Sequence, residues 1–287
     1  MISAFIEGIG IRGPGLADWP SACEALLGSA PYVCATTVLA PPLQLPPAER
    51  RRVGKGVKLA LAVGFEAVAH AGRDAAQLAS VFASSSGDGD NCGAICEALA
   101  GDRLISPTRF HNSVHNTPSG YWGIAAHAMA ASTSLCAFDA SFAVGLVDAM
   151  TQMIAADTPV LMVAYDAPYP EPLFATRPVP ELFGIALVLA PRASARSFAR
   201  IELGMRGPAD AQQGNAANVP ALDDATLEHW RASIPAARGL ALLAALATIS
   251  SSPSAGRQTA WLEDVNGALL PVRVFQGGHE TRNGKHG

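Results

Sequence analysis

Apolar positions in this chain fall into two kinds of run. Residues 2–11, 78–84, 159–165 and 183–190 are short and nearly continuously apolar, which predicts strands, the last two buried on both faces. Residues 48–72 place Val53, Val57, Leu61, Phe65 and Val68 at helical spacing. A second helical pattern runs through Ile95 and Leu99 to Gly101, and an Ala-rich one reaches Ala131. Between them lies the loop of small residues Ser84 to Asn91, and residues 31–47 are Pro-rich and irregular. The stretch Ser134 to Ala149 starts as an apolar strand and turns at Phe138-Asp139-Ala140. It continues with Ala143, Leu146, Val147 and Met150 at helical spacing. Beyond Pro191 the pattern predicts a strand over 198–205, a polar loop over 207–220 and two helices over 222–250 separated near Pro235. A hairpin over 260–275 follows, turning at Asn266-Gly267. Strands alternating with helices predict an α/β layered domain with a mostly parallel sheet.

Composition narrows the function classes. The chain has 287 residues, 49% hydrophobic and 15% charged, with a net charge of −4, which gives no electrostatic case for nucleic acid. No apolar run reaches the roughly 18 residues of a membrane span, and Met1 to Glu7 reads as a first strand, not a signal peptide. Five cysteines (Cys23, Cys34, Cys92, Cys96, Cys136) suggest reduced thiols in a cytoplasmic protein, and Cys92 and Cys96 lack the companions of a metal site. Gly8, Gly10, Gly13 and Gly15 are loosely spaced like a dinucleotide loop, but Pro14 and the missing helix argue against one. The tail 277–287, with His279 and His286, is expected to be disordered.

A strand-turn-helix elbow exposes one side chain at a helix N-terminus, a common place for a nucleophile. Here Asp139 is expected at the exposed position, capping its own helix, and Cys136 is expected inside the strand as a buried thiol. The segment His111 to Trp122 is dense in polar side chains, and Arg50, Arg51 and Arg52 form a basic triplet, read as a solvated face or a dock for an acidic partner.

Residues 1–205 resemble the N-terminal half of β-ketoacyl synthases, members of the thiolase-like fold. Ser84-Ser-Ser-Gly-Asp-Gly89 stands where that family has its Gly/Ser-rich loop beside the acyl pocket. Ile105-Ser-Pro107 matches the Ile-Ser-Pro before the dimer-interface segment, Ser119-Gly120 matches the Ala-Gly that opens the next helix, and Phe183 to Ala190 matches the fifth strand. The resemblance implies an α/β, thiolase-like N-terminal half of a ketosynthase: layered helices around a mixed, mostly parallel five-stranded sheet, plus an abbreviated C-terminal part. The expected division is 1–205 for this domain, 206–276 for an extension of helices and a hairpin, and 277–287 for the tail.

The chain departs from the family twice. Counting from Gly120, the family's Thr-Ala-Cys lands on Ala137-Phe138-Asp139, and Cys136 comes too early to be the nucleophile. The second half, with its pair of activating histidines, has no counterpart; His111, His115 and His127 precede the elbow and His229 lies in a helix candidate. Such a chain resembles a chain-length factor, a cysteine-free homologue that pairs with an active synthase and shapes its acyl tunnel. The segment Asn218 to Leu246, with Pro235-Ala-Ala-Arg-Gly239, resembles the tail of the short forms from aryl polyene and xanthomonadin-type pigment clusters.

The resemblance implies no confident catalytic residue, no metal and no cofactor. It implies two partners, an active β-ketoacyl-ACP synthase in a heterodimer and acyl carrier protein. Residues 133–138 would pair antiparallel with the partner as an exposed apolar edge. Phe110, Ser113, Val114, Asn116, Tyr121, Trp122 and Phe138 would line the tunnel or interface, with core filling the plain alternative for Tyr121 and Trp122. Ser86, Gly87, Asp88 and Gly89 would form a gate loop in which Asp88 disfavours an acyl tail. Two other readings stay open: a thioester hydrolase or malonyl decarboxylase using Asp139 with His111 or His115, and a module that docks carrier protein through Arg50 to Arg52.

Overall fold

The computed structural model describes residues 2–204, 219–252, 254 and 256–277; most of the expected polar loop (207–218) and the tail from 278, with His279 and His286, lie outside them. The strands are β1 (Ile2–Arg12), β2 (Ala79–Ala83), β3 (Ser132–Leu135), β4 (Val160–Asp166), β5 (Phe183–Ala190), β6 (Ala199–Leu203), β7 (Gln258–Glu263) and β8 (Leu269–Gln276). The helices are α1 (Trp19–Leu26), α2 (Pro47–Arg50), α3 (Lys55–Ala71), α4 (Gly89–Ala100), α5 (Pro107–His111), α6 (Thr117–Ala126), α7 (Ser141–Ala156), α8 (Leu173–Thr176), α9 (Ala225–Ser233) and α10 (Leu240–Ser251).

Among the described residues the eight strands form one sheet in the order β3-β2-β4-β5-β1-β6-β8-β7. The sheet is mixed, as expected, but wider than five strands and mostly antiparallel: only β2 with β3 and β2 with β4 run parallel. The apolar runs gave burial correctly and direction incorrectly. In β4, Val160, Met162 and Ala164 face one core while Leu161, Val163 and Tyr165 face the other. In β5, Ile185 and Leu187 alternate in the same way with Ala186 and Val188. A strand covered by helices on both faces is apolar throughout whichever way its neighbour runs. One face is covered by α3 and α6, the other by α7 with α1, α9 and α10. Residues 219–277 contribute α9, α10 and the β7–β8 hairpin, and β8 joins the sheet by pairing with β6.

The long helix expected from residue 48 is broken. Gly54, in extended conformation, is the N-cap of α3, so the Arg50 to Arg52 triplet precedes it on α2 and a turn. Gly8 and Gly10 serve packing: a Cβ on Gly10 would lie 2.1 Å from the Val63 carbonyl oxygen, so these glycines let α3 lie directly on β1. The contact is fixed by Glu66 on α3, which accepts from the Ile11 and Trp19 amides at 3.2 and 2.7 Å and pairs with Arg12. At the opposite side of the sheet β3 is an edge strand. Its Ser80–Ser132 and Ser134–Ser119 hydroxyl bonds and the Gln152 to Thr133 bond make it polar, where an apolar edge was expected.

Candidate functional site

The chemistry-bearing residues gather where β2, β3 and β4 end. Leu135 closes β3, and the chain turns through Ala137-Phe138-Asp139 into α7. The exposed apex of this elbow is Phe138, with φ of 52° and 59% of its surface open, whereas Asp139 is only partly exposed. The expectation that Asp139 stands exposed and caps its helix is therefore corrected. The N-cap of α7 is Ala140, with no side-chain bond, and the Ser141 hydroxyl donates to the Phe138 carbonyl while accepting from the Ala137 amide. The Asp139 carboxylate turns instead to two cations, with Arg177 at 2.5 Å on one oxygen and Arg238 at 3.2 Å on the other. Arg238 also pairs with Glu263 on β7. Arg177 lies 3.6 Å over the Phe138 ring and donates to the Tyr169 hydroxyl at 3.2 Å.

Cys136 is exposed, because β3 ends before it; its thiol donates to the Ser85 carbonyl at 3.1 Å. The expected buried thiol is thus corrected. His115 Nε2 lies 3.3 Å from the Ser84 carbonyl, and His111 is exposed at the end of α5.

The sequence reading missed the group that organises the loop. Asp166, at the end of β4, is fully buried. One carboxylate oxygen accepts from the Ser85 amide (2.9 Å), the Ser85 hydroxyl (2.7 Å) and the Ser84 hydroxyl (3.3 Å); the other accepts from the Ala236 amide at 2.8 Å. Burial pushes its pKa above the ordinary carboxylate value, outweighing these donors. A charged residue closing an apolar run at the C-terminal end of a buried strand was the available signal. The same turn that supplies Ala236 supplies Arg238, so the stretch Pro235–Gly239 holds both gate loop and elbow.

Within the expected gate loop, Asp88 caps α4 by accepting from the Asn91 amide at 3.0 Å, and burial raises its pKa. Gly87 has φ of 71°, and Ser86 and Gly89 complete the turn into α4. Beneath the loop is a small cavity of about 10 Å³, bounded by Gly56, Gly87, Asp88, Val114, His115 and Tyr165 among others. Among the expected tunnel residues, Phe110, Ser113, Val114 and Asn116 are exposed. Tyr121 and Trp122 are corrected to core: Trp122 packs 4.6 Å from Phe65, and the Tyr121 hydroxyl bonds Glu49 and Asn112. The basic triplet divides. Arg50 donates to the Leu43 and Leu45 carbonyls, while Arg51 and Arg52 join Lys55, Arg109, Asp88 and Asp90 around a cleft of about 510 Å³. Among the described residues no helix is long and apolar enough to cross a membrane.

The family model for the β-ketoacyl synthase N-terminal domain matches residues 29–245. No curated protein matches the sequence. Among solved structures, the chain is similar to one of the ketosynthase ApeO in complex with its chain length factor ApeC from Xenorhabdus doucetiae, at 21% identity, 95% of this chain, 99% of that chain and a TM-score of 0.66. It is also similar to the ishigamide ketosynthase/chain length factor, at 15% identity, 97% and 100% coverage and a TM-score of 0.71. A third is AntDE:AntF, a type II PKS acyl-carrier protein in complex with its ketosynthase, at 11% identity, 96% and 99% coverage and a TM-score of 0.69. At these identities the likeness is one of fold, the thiolase-like ketosynthase N-terminal architecture, whereas the family match spans most of the sequence: the chain belongs to the β-ketoacyl synthase N-terminal domain family.

Proposed function

We propose that this chain is a non-catalytic chain-length factor that pairs with an active β-ketoacyl-ACP synthase and shapes its acyl tunnel in polyketide or aryl polyene-type synthesis. The observation that carries this reading is the elbow. A nucleophile must be free and activated, and Asp139 is bound by Arg177 and Arg238. The space beneath the gate loop supports the reading as well, since about 10 Å³ has room for about one water molecule, not an acyl chain. In this reading Phe110 and Val114, both largely exposed on the chain alone, face the partner's tunnel. The open edge of β3 pairs with the partner strand, and its intrachain serine bonds keep that edge soluble until it does. Carrier protein, an acidic partner, meets the cleft of Arg51, Arg52, Lys55 and Arg109. The hydrolase or decarboxylase alternative would need Asp139 released from both guanidinium groups.

The test is co-expression with a ketosynthase encoded nearby. The expected result is a one-to-one complex by native mass, with products shortened when Val114→Trp fills the tunnel end. A chain that stays alone beside every candidate synthase refutes the proposal, as does thioester hydrolysis by the isolated chain that Asp139→Ala abolishes.

A further inference from the structure

Phe138 is held in a conformation that brings this chain little packing. His127 and Asp157 also have positive φ, but each is a helix C-cap, where a left-handed residue ends the helix; Arg103, the other non-glycine with positive φ among the described residues, lies in the loop after α4. Phe138 instead sits between a strand and a helix N-terminus, at φ of 52°. Such strain persists only where neighbours over-determine it, and it clusters at functional positions. Here Ser141 ties the backbone on both sides of the ring, bonding the Phe138 carbonyl at 2.7 Å and the Ala137 amide at 3.0 Å. The ring has a cation on one face, the Arg177 guanidinium at 3.6 Å, and remains 59% exposed. Arg177 is itself fixed by Asp139 at 2.5 Å and the Tyr169 hydroxyl at 3.2 Å, and Asp139 is fixed in turn by Arg238. Five side chains (Ser141, Arg177, Asp139, Tyr169 and Arg238) thus hold one aromatic ring outward, just beyond the end of the open edge strand β3.

We infer that Arg177 is a positioning residue. Its planar guanidinium aims the Phe138 ring at the polypeptide that pairs along β3, placing the ring in the partner synthase's acyl tunnel. Product length then depends on Arg177 as well as on Phe138. This rests on the chain-length reading above. A lysine cannot substitute, because it keeps the charge and the Asp139 pair but lacks the flat face that stacks on the ring.

The experiment uses the full chain in complex with its synthase and reads three quantities: subunit ratio by native mass, product length by mass spectrometry, and crosslinking from p-benzoylphenylalanine in place of Phe138. Phe138→Ala, Arg177→Ala and Arg177→Lys are each expected to lengthen the products by one or more elongation steps while the one-to-one ratio holds. The double variant Phe138→Ala/Arg177→Ala should move them no further than Phe138→Ala alone, since the two residues act as one unit. The photoprobe should label the synthase, severalfold less so with Arg177→Lys. If Arg177→Ala does not assemble, the lysine variant decides. Unchanged products in the Arg177→Lys complex, additive effects in the double variant, or no labelling of the synthase overturns the inference and leaves the chain-length reading standing. Failure of the unaltered chain to form any complex overturns both.

Discussion

Replacing Asp166 with alanine should destabilise the fold and loosen the gate loop together. The carboxylate is fully buried and accepts four hydrogen bonds. After truncation the Ser84 and Ser85 hydroxyls can rotate toward other acceptors, but the amides of Ser85 and Ala236 are fixed by the backbone and lose the acceptor that Asp166 supplies. A buried donor left unpaired costs about 1–3 kcal/mol, so the two amides give about 2–6 kcal/mol, in line with about 3–5 kcal/mol for breaking a buried charged network. For a chain of this size that is a fall in Tm of roughly 4–12 °C. Thermal melts would measure it, and hydrogen exchange should show protection lost at Ser85 and Ala236 before the rest of the sheet. The pH dependence adds a sign. Burial raises the folded pKa above the ordinary 3.8. Between those two values the native chain therefore binds more protons than the unfolded chain, and the residue's contribution falls as pH rises through that window. The gap between wild type and Asp166→Ala should be widest at and below the ordinary 3.8 and narrow as pH rises toward neutrality. A Tm fall under about 2 °C, or a gap that widens with rising pH, would refute the reasoning.

Gly239→Ala should cost about 1–3 kcal/mol by overpacking, because the new Cβ would lie 2.3 Å from the Phe142 ring; Phe142→Leu in the same chain should recover part of the lost Tm. Arg73→Ala should cost about 3–5 kcal/mol by stranding the fully buried Glu7, which Arg73 grips at 2.6 and 2.9 Å. Burial raises the Glu7 pKa, but Arg73 and Ser194 outweigh it and the net shift is downward. Its contribution should therefore be lost as pH falls below the ordinary 4.5, opposite in sign to that of Asp166, and melts across pH 3–6 or so would show this. Arg51→Glu with Arg52→Glu should weaken carrier-protein binding to the complex, and the loss should shrink in high salt, because both residues line an open cleft. Equal affinity at low salt, read by fluorescence anisotropy of labelled carrier protein, would count against that dock.

The chain by itself determined a good deal. The positions of most strands and helices followed from apolar spacing, since a strand between two helical layers must be apolar on both faces. The hairpin turn followed from Asn266-Gly267, where Gly267 indeed takes φ of 70°. The family resemblance was legible from Ser84 to Gly89, Ile105-Ser-Pro107 and Gly120 in order. What only the tertiary structure decided lies between elements far apart in sequence. Strand direction was hidden because burial does not depend on it. Trp122 looked like a tunnel residue until Phe65 and Phe82 were seen to enclose it. The fate of Asp139 depended on Arg177 and Arg238, and that of the gate loop on Asp166 and Ala236. A carboxylate's chemistry is set by the charges and donors within a few ångströms of it. Local sequence fixes which residue stands at the turn, and only the folded chain brings the distant arginines that occupy it.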